Sequence, residues 1–200
     1  FVVAGAWPDF DGERLLADTK RVCEAEIAFW HGSGPAPFDR YLFMLNALED
    51  GRGGLEHRSS TALVAPRRDL PRRGAAEPAK ATPAKAETSD GYVGVLGLIA
   101  HEYFHAWNVK RLKPREFATF DYAGENYTRL LWFFEGFTSY YDDLFVLRAG
   151  LIDEYQVFVH PVVLGGGKRP FAEGTARLGL ELVESRTFDG RAVLLRLRRA

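Results

Sequence analysis

Residues 91–108 read GYVGVLGLIAHEYFHAWN, and this stretch decides what the chain can be. Tyr92, Leu96, Ile99 and Tyr103 recur at steps of three and four, so they share one stripe of a helix. The spacing predicts a helix over 91–108, capped by Thr88 or Ser89. Inside it, His101-Glu102-Tyr103-Phe104-His105 fits the pattern H-E-x-x-H. Residues four apart on an α-helix are turned by about 400°, so the two imidazoles lie nearly above one another and can reach one zinc ion. Glu102 is displaced by about 100° and lies beside that ion rather than on it. There it can take a proton from water and pass it to a leaving amine, as a general base. The competing reading is a chance match on an amphipathic helix. The strong helical period around the match favours the metal site.

A catalytic zinc takes a third protein ligand. The chain has one cysteine, Cys23, so neither an internal disulfide nor a cysteine-rich metal site can form. The downstream acids are Glu116, Asp121, Glu125, Glu135, Asp142 and Asp143. Glu135 is favoured because it lies in LWFFEGFTSYYDDL (131–144), flanked by Trp132, Phe133, Phe134 and Phe137. A carboxylate buried among aromatics needs a strong partner, and a metal supplies one. Gly136 next to it would let two helices approach closely. The alternative is a Glu135 exposed on a polar face. His31 and His160 have no partner in sequence and read as structural or surface residues.

Around this centre the sequence predicts a helix over 13–30, with Leu15, Val22, Ala25 and Phe29 on one face. Residues 39–48 are apolar enough for strand or helix, and the alternation of Tyr41, Phe43 and Leu45 favours a strand; a turn is expected at 51–54, and a strand or loop over 55–64. Residues 66–90 (PRRDLPRR, then an Ala/Pro/Lys-rich run) read as a mobile loop. Its arginines lack interleaved aromatics, which argues against a nucleic-acid arm. A second long helix is expected over 128–148, stopping at Gly150. The last fifty residues read as β-rich: 155–164, 180–183 and 192–197, with Asp189-Gly190 as a hairpin turn.

The chain has 200 residues, 46% of them hydrophobic, and a formal charge of −1. That composition predicts a packed globular fold and gives no argument for a nucleic-acid or acidic-lipid partner. No apolar run is long enough for a membrane span, so no membrane partner is expected. The chain contains no signal peptide and opens at Phe1 inside an apolar stretch, like an excised piece of a longer protein. The compartment stays open between cytoplasm and periplasm, and so does the oligomeric state.

GGLEHRSST (53–61), HEYFHAWNVKRLKP (101–114) and LWFFEGFTSYYDDL (131–144), in that order, resemble the glycyl aminopeptidases. These are PDZ-containing metallopeptidases of the gluzincin type. The resemblance runs over about residues 1–152. It implies an α+β fold, a truncated thermolysin-like zinc metallopeptidase catalytic domain, followed by a β-rich C-terminal segment from 153 to 200. It assigns His101, His105 and Glu135 as zinc ligands and Glu102 as general base. It places Glu56 where related aminopeptidases bind the free α-amine of a peptide substrate. Gly53 and Gly54 would offer backbone to that extended peptide. The family's later helices, with an oxyanion-stabilising tyrosine, and its PDZ domain are not recognisable here.

The tail, DEYQVFVHPVVLGGGKRPF (153–171) and LGLELVESRTFDGRAVLLRLR (178–198), resembles the C-terminal end of the dihydrofolate-reductase-like and riboflavin-biosynthesis reductases. The seam falls near residues 147–153. The nucleotide-binding part of that fold is missing, so no NADPH binding is expected, and Gly165–Lys168 reads as a β-turn. The leading reading is a zinc-dependent aminopeptidase. Two others stand beside it: a non-catalytic zinc-binding fragment without the second half of its cleft, and a nicotinamide-dependent reductase-like domain.

Overall fold

A computed structural model describes residues 1–74, 89–152, 154–161, 179–190 and 192–199. The chain forms two compact units, Phe1–Leu151 and Ile152–Ala200.

The first unit mixes sheet and helix. Its strands are β1 (Val2–Ala4), β2 (Leu42–Leu48), β3 (Gly53–Glu56) and β4 (Ser60–Pro66), in the order β1-β2-β4-β3. β1, β2 and β4 run parallel, and β3 returns antiparallel to β4 at one edge. Along β2, Phe43, Leu45 and Ala47 point inward and their neighbours outward, the period of two of a half-covered strand. The expected strand over 39–48 is therefore present. The expected turn at 51–54 is not: Gly53 and Gly54 already belong to β3. Residues 55–64 divide into two strands around a short turn.

Three α-helices accompany this sheet. α1 (Gly12–His31) is capped by Asp11, whose side chain accepts from the Arg14 amide. Its buried stripe is Leu15, Thr19, Val22 and Glu26, whereas Phe29 is 39% exposed. The inward face is thus rotated from the one expected, and it carries an acid. α2 (Asp90–Phe104) is capped by Ser89, which accepts from the Tyr92 amide. Thr88 lies outside the described residues. Tyr92, Leu96, Ile99 and Tyr103 are all buried, as their spacing required. This helix ends at Phe104, four residues before the expected 108, and His105 forms its C-cap. α3 spans Leu131–Arg148 and stops ahead of Gly150. α2 packs on β3 and β4, and α1 and α3 pack on α2 and on each other. An aromatic seam joins the three helices, with Phe29, Phe104, Tyr141 and Phe145 in mutual ring contact.

The stretch 66–90, expected as one mobile loop, is in part built structure. Arg67–Asp69 form a short 3-10 turn, Leu70 is buried, and Arg72 bridges to Phe10. Asp9 pairs with Arg72 at 2.6 Å, and that guanidinium holds the Asp9 carboxyl below its usual range. Residues 75–88 lie outside the described residues. Among the described residues, no helix is long and apolar enough to cross a membrane.

The second unit is an antiparallel sheet of β5 (Glu154–Val159), β6 (Leu180–Phe188) and β7 (Ala192–Arg199), ordered β5-β7-β6. The Asp189-Gly190 turn joins β6 to β7 with φ of 49° and 65°. Two successive positive φ angles match the right-handed twist of a hairpin, and Asp-Gly tolerates them. Both strands are longer than expected. Arg196 reaches Glu154 and Glu184 on its two neighbours. The Gly165–Lys168 turn lies outside the described residues.

Glu26 is fully buried, and neither of its carboxyl oxygens has a hydrogen-bond partner. Burial, followed by the nearby charge of Asp142, pushes its pKa well above the carboxylate range. The native state then keeps a proton that the unfolded chain releases near pH 4.3. Stability therefore falls as the pH rises from about that value. The variant Glu26→Gln removes this slope. Urea melts should show it more stable than the parent at pH 7, with the difference closing below about pH 4.

Candidate metal centre and active site

The C-terminal turn of α2 brings His101 and His105 together, with ring centroids 4.8 Å apart. Across from them α3 presents Glu135. Its Oε2 lies 3.4 Å from Nε2 of His101 and its Oε1 lies 3.7 Å from Nε2 of His105. One ligand atom from each residue falls within 4.8 Å of the others, a group that could hold a metal ion. Tetrahedral coordination at zinc-like bond lengths puts ligand atoms about 3.3–3.4 Å apart; the two Glu135 contacts are near that spacing, and the group as a whole would contract around an ion.

Both rings are fixed from behind. The Nδ1 of His101 donates to Oδ2 of Asp142 at 2.9 Å, and the Nδ1 of His105 donates to the carbonyl of Asn108 at 2.9 Å. A carboxylate and a carbonyl can only accept, so each Nδ1 carries the proton and each Nε2 is left for the centre. Asn108 is held in turn: its amide donates to the Phe134 carbonyl and to Thr138 Oγ1. Asp142 lies two turns after Glu135 on α3 and so shares its face. The sequence names Asp142 only among the acids passed over as ligand. The seven-residue step from Glu135 is the signal that could have identified its supporting position.

The charges reinforce one another. The neighbouring imidazoles, His101 first and then His105, hold the Glu135 carboxyl far below its usual range. Burial pulls the His101 pKa down, but Asp142 and Glu135 beside it outweigh that and raise it to about 9, so at neutral pH Nε2 also carries a proton, which a metal would displace. Burial pushes Glu102 upward, against the pull of His105 and His101. It also pushes the Cys23 thiol well up, and that sulfur is not in the group of possible metal-holding residues.

Two arguments that favoured Glu135 in the sequence fail, although the residue arrives where expected. Its side chain is 48% exposed rather than buried, and Trp132 beside it is 70% exposed. A Cβ on Gly136 would meet nothing within 4 Å, so that glycine serves no close helix approach. The imidazoles, not an aromatic shell, are what partner the carboxylate.

Glu102 is 5% exposed and turns its carboxyl toward β3. A Cβ on Gly54 would sit 2.2 Å from the Glu102 carboxyl carbon. Only glycine lets the strand pass this close. Gly53 precedes it in β3, whose outer edge is free of strand partners among the described residues. Glu56, at the end of β3, pairs with the Lys110 ammonium at 3.0 Å. His57 is exposed, with Nδ1 3.1 Å from the Leu55 carbonyl. His31 is structural, its Nε2 accepting from the Trp107 indole at 2.7 Å.

With this geometry in place, comparison with known proteins is informative. Residues 94–161 match the M61 glycyl aminopeptidase family, and residues 145–194 match the RibD C-terminal domain. An aminopeptidase N family protein from Idiomarina loihiensis, of known structure, is 40% identical with a TM-score of 0.64, covering 76% of this chain and 23% of that one. The uncharacterized protein YyaP of Bacillus subtilis (strain 168) is 43% identical over 47 residues, 24% of this chain and 25% of its own length. The resemblance to the glycyl aminopeptidases is thus borne out, and so is the reductase-like end, with the two matches overlapping over 145–161. The chain spans about a quarter of the length of either relative.

The contact between Gly54 and Glu102 is open to a test that needs no activity. Gly54→Ala should destabilise the chain by about 1–3 kcal/mol by overpacking. In a Glu102→Ala background the same change should cost less than about 1 kcal/mol, and denaturant melts of the four proteins in the cycle would measure the difference.

Proposed function

We propose that the first unit is part of the thermolysin-like catalytic domain of a zinc-dependent aminopeptidase that cleaves N-terminal peptide bonds. The observation that carries this is the convergence of His101, His105 and Glu135 from two helices within 4.8 Å, with both Nδ1 atoms already engaged. His101 and His105 would hold zinc through Nε2, and Glu135 through its carboxylate. Zinc, when bound, acidifies a water molecule and polarises the scissile carbonyl.

The remaining chemistry belongs to the chain. Glu102 lies one residue from the first ligand, buried against Gly54, with its basicity raised by burial. It takes the proton of the attacking water and delivers it to the leaving amine. Asp142 and the Asn108 carbonyl keep the two imidazoles in the tautomer that leaves Nε2 to the metal. The open edge of β3 at Gly53 and Gly54 suits pairing with an extended peptide. Glu56, at the end of that strand, suits an N-terminal ammonium and so sets where cleavage falls. The partner is a peptide with a free N-terminus.

The reductase-like reading gains support only from the match over 145–194. The non-catalytic zinc-binding reading shares the same metal centre and differs only in turnover.

The chain should bind about one zinc, removable by chelator. Asp142→Ala should weaken the metal about 10–100-fold while leaving the site able to load. Glu102→Gln should retain zinc and lower hydrolysis of short peptides by about 10²–10⁴. Metal analysis and a peptide-release assay check both. A chain purified with zinc in the buffer that carries none contradicts the proposal. Full zinc loading with no hydrolysis by the parent chain favours the non-catalytic reading.

A further inference from the structure

The Glu56 carboxylate, to which the reading above gives the substrate ammonium, already carries an ammonium of the chain. Lys110 Nζ lies 3.0 Å from Glu56 Oε1, and both side chains are about three-quarters buried, with 26% and 22% exposure. The backbone places Lys110 there. Directly after α2 the chain enters a tight turn in which the Lys110 amide donates to the His105 carbonyl at 3.1 Å and the Leu112 amide to the Trp107 carbonyl at 2.8 Å. Within it Val109 adopts φ of 119°. A β-branched residue at positive φ is a strained outlier that persists only where its surroundings hold it. The same turn supplies the Asn108 carbonyl that orients His105. One strained segment therefore fixes a ligand on one side and delivers a cation to the amine site on the other.

Beside the pair lies a cleft of about 420 Å³ whose lining includes Lys110, Lys113, Phe117, Phe120 and Tyr122. The Phe120 and Tyr122 rings stack 5.9 Å apart and are 42% and 95% exposed. Aromatic faces in contact with water can receive an ammonium, so the Lys110 head group has somewhere to go when it leaves Glu56.

We infer that Lys110 is an intramolecular competitor for the amine site: its ammonium occupies Glu56 in the free chain and is displaced by the N-terminal ammonium of a peptide. On this account Lys110 sets how tightly an amine is held and is not a catalytic residue. Its occupancy lowers the apparent affinity for any amine in proportion to the fraction of molecules in which Glu56 is free. The factor is the same for every amine, so a peptide that also pairs along β3 stays bound at concentrations where a lone amine does not. The inference rests on the proposed role of Glu56.

The test is a binding titration with triglycine and with N-acetyl-triglycine, followed by NMR in a Glu102→Gln background that blocks turnover. Lys110→Met should tighten triglycine binding by at least about fivefold and leave the acetylated peptide unchanged. Lys110→Arg, which keeps a cation on Glu56, should bind triglycine no more tightly than its parent. Should Lys110→Met fold poorly, the side-chain ammonium signal of Lys110 in the otherwise unaltered chain gives the same answer, shifting on saturation with triglycine but not with the acetylated peptide. Unchanged or weaker triglycine binding by a folded Lys110→Met, or an unmoved Lys110 signal at saturation, overturns the inference. Glu56→Gln separates the two readings. If it leaves triglycine binding intact, the amine role of Glu56 fails and this inference with it. If it weakens binding while Lys110→Met changes nothing, only the competitor is lost.

Discussion

Two imidazoles one helical turn apart bring two basic nitrogens into close quarters, and the structure is arranged around keeping them there. Each ring must be turned so that Nε2 faces the same point, and neither rotation is set by the helix alone. Asp142 turns one ring and the Asn108 carbonyl turns the other. Those two groups come from α3 and from the turn after α2, so the centre forms only when the two helices are packed. The aromatic seam of Phe104, Tyr141 and Phe145 holds them in register. Apolar burial, which is non-directional, thereby becomes a positional constraint on polar atoms a few ångströms away.

The sheet contributes by an omission. Gly54 lacks the side chain that would push Glu102 aside, so an acid of α2 and the backbone of an edge strand share one space. On the proposed reading, this puts the base beside the strand along which a peptide would lie. Distance and orientation are then set before any substrate arrives, which is how positioning lowers a barrier.

The parts of this arrangement that depend on local spacing were legible in the sequence. The α2 stripe, the two histidines, the Ser89 cap, the inward face of β2 and the Asp189-Gly190 turn all follow from periodicity or turn chemistry. What depends on tertiary contact was not. Glu26 breaks the apolar stripe of α1, and only the packed structure shows that it stays inside as a neutral acid. Asp142 acquires a role only once α3 faces α2. Glu135 was chosen partly on the expectation of burial, yet half of its side chain is open and its partners are the imidazoles. Gly53 and Gly54 look like a turn in composition, and pairing with Val64 and Leu63 of β4 is what makes them strand. The early end of α2 follows from the Val109 turn, whose positive φ no propensity scale would assign to valine.

The central claim concerns which atoms hold the ion, and X-ray absorption at the zinc edge reads that directly. Two imidazole nitrogens and carboxylate oxygen at about 2.0–2.1 Å, with the imidazole signal reduced in His101→Ala and in His105→Ala, are what the account predicts. A sulfur neighbour at about 2.3 Å, or a spectrum without imidazole, would contradict it.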